Sequence, residues 1–589
     1  MNFKIKTTDI TRVFFIILAI VVVYFNSLWH DFAWDDEYLI KKNPYVKSWN
    51  YVPEIFSRHL YDGVAKESNF YRPLQLISLA IDYSAWKHNP FGYHLTNLFL
   101  HAANSILVYA ISISLSISPA IAFVAAVLFG IAPAISGAVF YIPARADLLM
   151  AAFSFLSVLF FAKYIDKKKI SSYLFSIASF AAGLLCKEMA IVVPFLLFLI
   201  WVFKNDKPRA PKILTPYLLV LSAYALLRLT IFNFAKGHDP FAYFEATNAI
   251  PLHNRVLTDF KVIIIYLRFL LFPYGLHIGW FLEPAKKIFE ADIVMSAFAI
   301  AFLGFIIARL SQKNKFILFG SLWFLIALMP VLNILPVSVL VHDMWLYLPS
   351  AGFFIALSII FMDFIGKKSG RLFGGIVIAL FSVYYAFFTI QYGMTWKDSV
   401  SILTNTLKYE SETPFARFFY NNLGIQYNAR GEFGKAVRCY RNSILSAPEF
   451  AMPYNNMAIV YFENNRPLRA IKFFKKAIDI KKDYTEAYCN MSLAYNKIGL
   501  GGRAVEFLKI AVKIDPDCYK AYCNLGHMYS EAGDADTAIM FFKKAVESNP
   551  KHFEPHHCLS ELYMKKNDSL NAAYEYEKAL RYGLREDMD

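Results

Sequence analysis

Up to about residue 392 the chain is a succession of long apolar runs broken by short polar links, and this pattern limits the fold more than any other feature. Runs of that length call for hydrocarbon surroundings, where a helix satisfies its own backbone groups. Candidate spans fall at 13–29, 94–113, 119–140, 148–165, 171–186, 189–203, 213–232, 292–308, 316–333, 346–365 and 372–392, about eleven in all. With 57% hydrophobic and only 18% charged residues, a purely water-soluble enzyme is excluded. The first run follows Lys4, Lys6 and Arg12 in the manner of a signal peptide, but it ends in Ser27-Leu-Trp-His-Asp-Phe without a small-residue cleavage site. It is therefore expected to stay as the first span.

A further run, Val262 to Pro273, has 12 residues and carries Arg268. A crossing takes roughly 20 residues, so this run reads as interfacial or re-entrant. Leaving it out puts 17 Lys and Arg on the side of the N-terminus, in the tail and at 163–169, 204–212, 309–315 and 367–371. The short links opposite carry only Arg145 and Lys187, which matches the positive-inside rule. The expected topology is an integral membrane protein with a cytoplasmic N-terminus and an extracytoplasmic C-terminal domain. That means periplasm at a bacterial inner membrane, or the endoplasmic reticulum lumen in a eukaryote. Counting Val262 to Pro273 as a span would invert everything after it. The net charge of +15 is accounted for by these flanking residues, so a nucleic acid partner is not expected. The six cysteines form no CxxC pair and no metal-ligand spacing, and read as packing residues.

Beyond 392 the grammar changes, giving two domains, 1–392 and 393–589. The second repeats with a period of 34: Asn422-Leu-Gly, Asn456-Met-Ala, Asn490-Met-Ser, Asn524-Leu-Gly and Cys558-Leu-Ser, each followed in phase by Tyr427, Tyr461, Tyr495, Tyr529 and Tyr563. Alanines recur at 436, 470, 504, 538 and 572, with a second small residue seven later. Small residues let the two helices of a unit approach, aromatic side chains fill between units, and Pro448, Pro516 and Pro550 end the second helix. About five such registers resemble the tetratricopeptide repeat, an α-solenoid with a concave face for peptide. Asn422, Asn456, Asn490 and Asn524 are the candidate groove residues, since an amide both donates to and accepts from an extended backbone. The fold class is all-α: a polytopic helical membrane domain followed by a repeat solenoid.

The polar residues of the first half gather at the outer face: Asp35, Asp36, Glu37, Arg72, His94, Arg145, Asp147, Lys187, Glu188, His342 and Asp343. Polar groups near a bilayer are costly unless paired or functional, which points to a site at the outer surface. Trp34-Asp35-Asp36-Glu37, directly after the first span, is its sharpest feature. A carboxylate there can take the proton of a hydroxyl or hold a metal, and as a bland alternative it is a solvated turn. Arg72, Arg145 and Lys187 suit a lipid phosphate, or serve as interfacial anchors.

The stretches Asp35-Asp36 with Asn43-Pro44, Tyr71-Arg72-Pro73-Leu74, Asn89-Pro90-Phe91-Gly92-Tyr93-His94-Leu95-Thr96-Asn97, Arg145-Ala146-Asp147, Lys187-Glu188 and Leu346-Tyr347-Leu348-Pro349-Ser350 carry a family resemblance. Together with the repeats, they make the chain similar to the transmembrane and tetratricopeptide repeat-containing O-mannosyltransferases and their bacterial relatives, which have a GT-C glycosyltransferase fold. The resemblance implies transfer of a sugar, mannose or another hexose, from a polyprenyl-phosphate carrier to Ser or Thr hydroxyls of proteins outside the cytoplasm, with inversion. It implies Asp35 as general base with Asp36 as alternate, and Arg72, Arg145 and Lys187 at the donor phosphate. His94, Asp147, Glu188, His342 and Asp343 then support the site, and the repeats bind the acceptor protein. No metal and no cofactor are expected, with a divalent ion left open by the two adjacent aspartates. Where the family often has Glu-Arg, this chain has Asp343-Met344, so a positive charge is missing from that loop. Two other readings stand beside this one: an oligosaccharide transferase similar to O-antigen ligases, and a membrane-anchored repeat scaffold without catalysis.

Overall fold

A proline decides the shape of the membrane half. The run at 119–140 is two helices, Pro119–Gly130 and Pro133–Phe140, bent by 58°. Pro133 cannot donate to the turn before it, and it holds Ala132 in an extended conformation. The carbonyls freed by the break are taken up by neighbouring helices: His101 Nε2 lies 2.8 Å from the Gly130 oxygen, and Thr389 donates to that of Ile131 at 2.7 Å. Broken backbone inside an apolar bundle requires such partners.

The chain was analysed as a computed structural model that describes residues 7–64, 66, 68–204, 212–232, 250–334, 339–365 and 371–582. Lys4, Lys6, Lys207, Arg209, Lys367 and Lys368 of the charge argument lie outside these residues. Among the described residues all regular structure is helical. The chain divides into two compact units, Met1–Tyr409 and Glu410–Asp589.

Among the described residues of the first unit, seven helices are long and apolar enough to cross a membrane: Thr8–Trp29, Pro90–Ser114, Ile142–Lys167, Lys212–Leu229, Ala291–Ser311, Asp343–Asp363 and Gly374–Met394. The bent pair makes an eighth if taken as one span, and Ile170–Cys186 and Lys315–Val331 are shorter apolar helices. The run at 189–203 is a tight turn, Glu188–Val192, leading into the 12-residue helix Val193–Lys204. Every candidate run is therefore helical, but fewer than the expected eleven have the length of a full crossing. The short run near 262 belongs to a longer helix, Leu252–Leu271. Its first half carries His253, Arg255, Asp259 and Lys261, and Thr258, Asp259, Val262, Tyr266, Phe269 and Leu270 form its buried stripe. Gly320 and Gly352 allow two apolar helices to cross at backbone distance, because a Cβ on either would overlap the other's carbonyl oxygen.

The outer segment after the first span folds around its own core. Leu39, Ile40, Tyr45, Val46, Ile55 and Leu60 pack on Leu76 and Leu79 of helix Pro73–Trp86. Residues beyond the last span also belong here: the amide of Asp31 donates to the Lys397 carbonyl at 2.9 Å, and that of Trp34 to Ser399 Oγ at 2.9 Å.

The second unit holds ten helices in five pairs, from Ala416–Ala429 to Ser569–Tyr582. Ala436, Ala470, Ala504, Ala538 and Ala572 are at most 1% exposed, as the close helix approach requires. The tyrosines also stack inside their own unit: Tyr461 on Phe473, Tyr495 on Phe507 and Tyr529 on Phe541, at 5.2 to 5.4 Å. The turn inside each pair is left-handed at Gly431, Asn465, Gly499, Gly533 and Asn567, which are again 34 residues apart. Gly and Asn are the residues that tolerate this conformation.

Candidate functional site

Asp35 lies between two unusual pieces of backbone. Trp34 before it has φ 53°, and a π-helical turn, Glu37–Lys41, follows Asp36. A non-glycine residue held left-handed costs energy and tends to mark functional positions. The helix break aims the partner residue: Pro133–Phe140 is buried throughout and delivers Tyr141, whose hydroxyl donates to Asp35 Oδ2 at 2.7 Å. Tyr61 and Lys66 are close enough to stabilise its charge. Burial nevertheless raises the Asp35 carboxyl above its ordinary range, against the lowering by Tyr141, Lys66 and Tyr61. The result is a partly exposed carboxylate with a raised affinity for a proton.

Asp36 is 1% exposed, and its Oδ2 accepts the Ala33 amide at 2.7 Å while Oδ1 has no partner in the protein. Burial first, and then the neighbouring Asp35 charge, push it well above the usual carboxylate range. Of the two, Asp35 faces outward and Asp36 inward. His94 is also buried, its ring 5.8 Å from that of His30, with neither nitrogen in a hydrogen bond.

Two arms run out from Asp35. One leads past Tyr61, which lies within electrostatic reach of both Asp35 and Arg72, to Arg72 itself, whose Nε and Nη2 meet Glu188 Oε2 and Oε1 at 3.3 and 2.8 Å. Burial alone would raise Glu188, but the fork of Arg72 brings it down to about 2. Beside this pair, Lys187 Nζ donates to both oxygens of Asp147 at 2.7 and 2.8 Å. Glu188 thus orients Arg72, and Asp147 orients Lys187. The other arm runs from the Tyr141 ring to Trp396 at 5.5 Å and on to Tyr392, whose hydroxyl donates to Asp343 Oδ2 at 2.9 Å. Asp343 also accepts the Met344 amide at 2.9 Å and lies 3.2 Å from His342 Nδ1, so its carboxylate ties the loop together.

Arg145 does not fit the phosphate contact expected of it. It is 0% exposed, and its guanidinium donates to Asp82, to Asn97 Oδ1 at 2.8 Å, and to the carbonyls of Tyr93 at 2.7 Å and Ser78 at 3.4 Å. A guanidinium spent on four protein acceptors is a brace between the outer segment and the bundle. Lys187, likewise buried and paired, is available to a ligand only beside Asp147, which leaves Arg72 as the one of the three expected phosphate cations that lies on the Asp35 arm. Tyr347 of the Leu346-Tyr347-Leu348-Pro349-Ser350 stretch is structural too. His101 gives its Nε2 proton to Gly130, so Nδ1 accepts the Tyr347 hydroxyl at 2.6 Å, and Asn104 donates to that hydroxyl at 3.2 Å.

Sequence reasoning passed over Tyr141, Tyr61, Lys66, Asp82 and Tyr392. Only Tyr141 left a signal, in the Tyr141-Ile-Pro-Ala-Arg145 spacing after a proline-broken helix. Among the described residues, no three His, Cys, Asp or Glu side chains are grouped to hold a metal ion.

In the repeat unit, the candidate groove asparagines Asn422, Asn456, Asn490 and Asn524 are half-buried, and two of them are tied to the preceding unit. Asn456 Nδ2 donates to Asn421 Oδ1 at 2.9 Å and Asn490 Nδ2 to Asn455 Oδ1 at 3.2 Å, so part of their capacity is used inside the solenoid.

Residues 84–231 match the family described as dolichyl-phosphate-mannose-protein mannosyltransferase, and 453–484, 485–518 and 519–552 match the tetratricopeptide repeat. A protein O-mannosyl-transferase of Caenorhabditis elegans is 24% identical over 466 residues, covering 76% of this chain and 64% of that protein. The chain is similar to the transmembrane and tetratricopeptide repeat-containing O-mannosyltransferases. Similar proteins of this group include one from Mus musculus, 22% identical over 76% of this chain and 52% of its own length, and one from Homo sapiens, 24% identical over 71% and 64%. The chain thus spans about half to two thirds of the length of these curated relatives. A solved tetratricopeptide protein from Thermus thermophilus is similar at 21% identity and a TM-score of 0.26, covering 29% of this chain and 93% of that one. The family match takes in His94, Arg145, Asp147, Lys187 and Glu188, while Asp35, Asp36 and Arg72 precede it. The apolar helices make the chain an integral membrane protein, and its second unit is a repeat domain.

Proposed function

We propose that the protein transfers a sugar, mannose or another hexose, from a polyprenyl-phosphate carrier to Ser or Thr hydroxyls of proteins on the extracytoplasmic side, the repeats binding the acceptor. The observation that carries this reading is the Asp35 carboxylate. It is partly exposed, raised by burial, held by Tyr141, and lies on the same side of the membrane half as the Arg72–Glu188 pair, with Tyr61 within electrostatic reach of both Asp35 and Arg72.

In the proposed step, Asp35 takes the proton of the acceptor hydroxyl while that oxygen attacks the anomeric carbon. The bond from that carbon to the phosphate oxygen breaks, and its electron pair leaves with the phosphate. Attack from the face opposite the leaving group inverts the centre. Arg72, fixed in orientation by Glu188, supplies positive charge for the departing phosphate, with Lys187 beside Asp147 as the second cation. Asp36, buried behind Asp35, positions the turn through the Ala33 amide. The step needs no metal, and undiminished transfer in the presence of a chelator is the corresponding result.

The test is glycoproteomics of the extracytoplasmic fraction from cells carrying the wild-type chain, Asp35→Asn, or a deletion. Ser/Thr-linked sugars that vanish in both altered strains, with the Asp35→Asn protein folded and in the membrane, uphold the reading, and the mass of the sugar names the donor. Identical glycan profiles in all three overturn it.

A further inference from the structure

Arg268 stands near the end of helix Leu252–Leu271, among aromatic rings and outside the Arg72–Glu188 ion pair. Its guanidinium carbon lies 5.1 Å from the centre of the Phe269 ring, 4.8 Å from that of Tyr274 and 5.2 Å from that of Trp280. The cage is rigid: Phe269 is fully buried, its ring 4.6 Å from Trp280, and His277 stacks on the Trp280 ring at 3.9 Å. Rings attract the cation through their faces but accept none of its N–H groups in the plane. Arg268 Nε and Nη2 are both buried without a hydrogen-bond partner, and so is Trp280 Nε1.

Three buried donors without a hydrogen-bond partner, two of them on a charged group, are costly unless an acceptor enters from outside the chain. All three are donors, and an anion is the acceptor that also meets the charge of the guanidinium. The planar Nε–Nη2 edge fits two oxygens of one phosphate, with the indole N–H as a third donor. The surface beside the cage is apolar, with Phe272 58% and Tyr274 56% exposed. An anion bound here therefore has room for a hydrocarbon chain alongside it.

We propose that Arg268 and Trp280 form a binding site for a phosphate group carried on a lipid, distinct from the Arg72–Glu188 pair. The phosphate oxygens take the N–H groups of Arg268 and Trp280, the aromatic rings hold the guanidinium in place, and the chain of the lipid lies against Phe272 and Tyr274. Two lipids share this chemistry, the polyprenyl carrier and an anionic bilayer phospholipid. Assignment to the carrier rests on the proposed glycosyl transfer; the site itself does not.

The experiment is a binding titration of the full chain in detergent, followed by native mass spectrometry, with polyprenyl monophosphate, phosphatidylglycerol and inorganic phosphate as separate probes. Arg268→Gln is expected to weaken lipid-phosphate binding about tenfold or more, the scale of a lost charge-assisted pair. Arg268→Lys, which keeps the charge but not the fork, is expected to recover only part of the affinity, and Trp280→Phe, which keeps the ring but not its N–H, to lose affinity without losing the fold. Losses confined to polyprenyl monophosphate identify the carrier, and equal losses with phosphatidylglycerol identify a bilayer lipid. Wild-type affinity for both lipids in Arg268→Lys and Trp280→Phe overturns the proposal, as does inorganic phosphate binding as tightly as either lipid. No sugar is present in any probe, so failed transfer by the enzyme and failed binding at this site are read separately.

Discussion

Replacing Tyr141 by Phe isolates the group that most directly tunes the proposed base. The substitution removes the O–H that reaches Asp35 Oδ2 at 2.7 Å and leaves the ring to pack on Trp396 at 5.5 Å. A hydrogen bond to a charged acceptor contributes about 1.5–3 kcal/mol. It favours the ionised carboxylate, and at about 1.4 kcal/mol per pKa unit its loss raises Asp35 by about 1–2 units. A general base works when deprotonated, so activity falls as pH drops through its pKa. The wild-type acid limb of kcat/KM is therefore expected above the ordinary aspartate value of about 3.9, and the Tyr141→Phe limb about 1–2 units higher still. The plateau rate should fall much less, because the remaining base is stronger. The assay is sugar transfer from a polyprenyl-phosphate donor to an acceptor peptide as a function of pH. An acid limb that stays in place or moves to lower pH refutes the assignment of Asp35 as the titrating base.

Other perturbations follow from the same geometry. Arg145→Gln leaves Asp82 buried without its cation and should cost about 3–5 kcal/mol, seen as loss of folded protein on size exclusion rather than as a change in substrate affinity. Gly320→Leu drives a side chain into the Gly352 carbonyl and should lower the resistance of the membrane half to detergent unfolding by about 1–3 kcal/mol. Asn456→Ala together with Asn490→Ala should weaken acceptor binding while helical content by circular dichroism holds, with an inter-unit loss of about 1 kcal/mol for each hydrogen bond removed; unchanged acceptor binding removes the groove role. A reporter fused after residue 589 should be active only in its extracytoplasmic form.

The repeat half was legible because its signal is redundant. The same small residue returns every 34 positions, and the left-handed turn at Gly431, Asn465, Gly499, Gly533 and Asn567 could have been added to that register from the sequence. In the membrane half, hydropathy located the apolar helices but not their interruptions, and it left out the outer helix Pro73–Trp86. Pro133 turns one apolar run into two helices, and the turn Glu188–Val192 shortens another, because hydropathy averages over a backbone break that the fold depends on. The acidic pair after the first span and the Lys187-Glu188 step were visible as residues, but their partners were not. Glu188 reaches 116 positions back to Arg72, Lys187 reaches 40 back to Asp147, and Tyr141 meets Asp35 from 106 positions away. Such pairings are set by packing of helices distant in sequence. Arg145 shows the same limit in reverse: an arginine at an outer helix end reads as a phosphate ligand until its acceptors Asp82, Asn97, Tyr93 and Ser78 are in view.

The central claim is that Asp35 accepts the proton of an acceptor hydroxyl in sugar transfer from a lipid phosphate. The most direct test reconstitutes the purified full chain and its Asp35→Asn variant with polyprenyl-phosphate-mannose and a Ser/Thr-containing acceptor, and measures mannose on the acceptor by mass spectrometry. Transfer by the wild type, and its loss in a variant that keeps the wild-type melting temperature and still binds the donor, is the predicted result. Transfer by Asp35→Asn at the wild-type rate contradicts it.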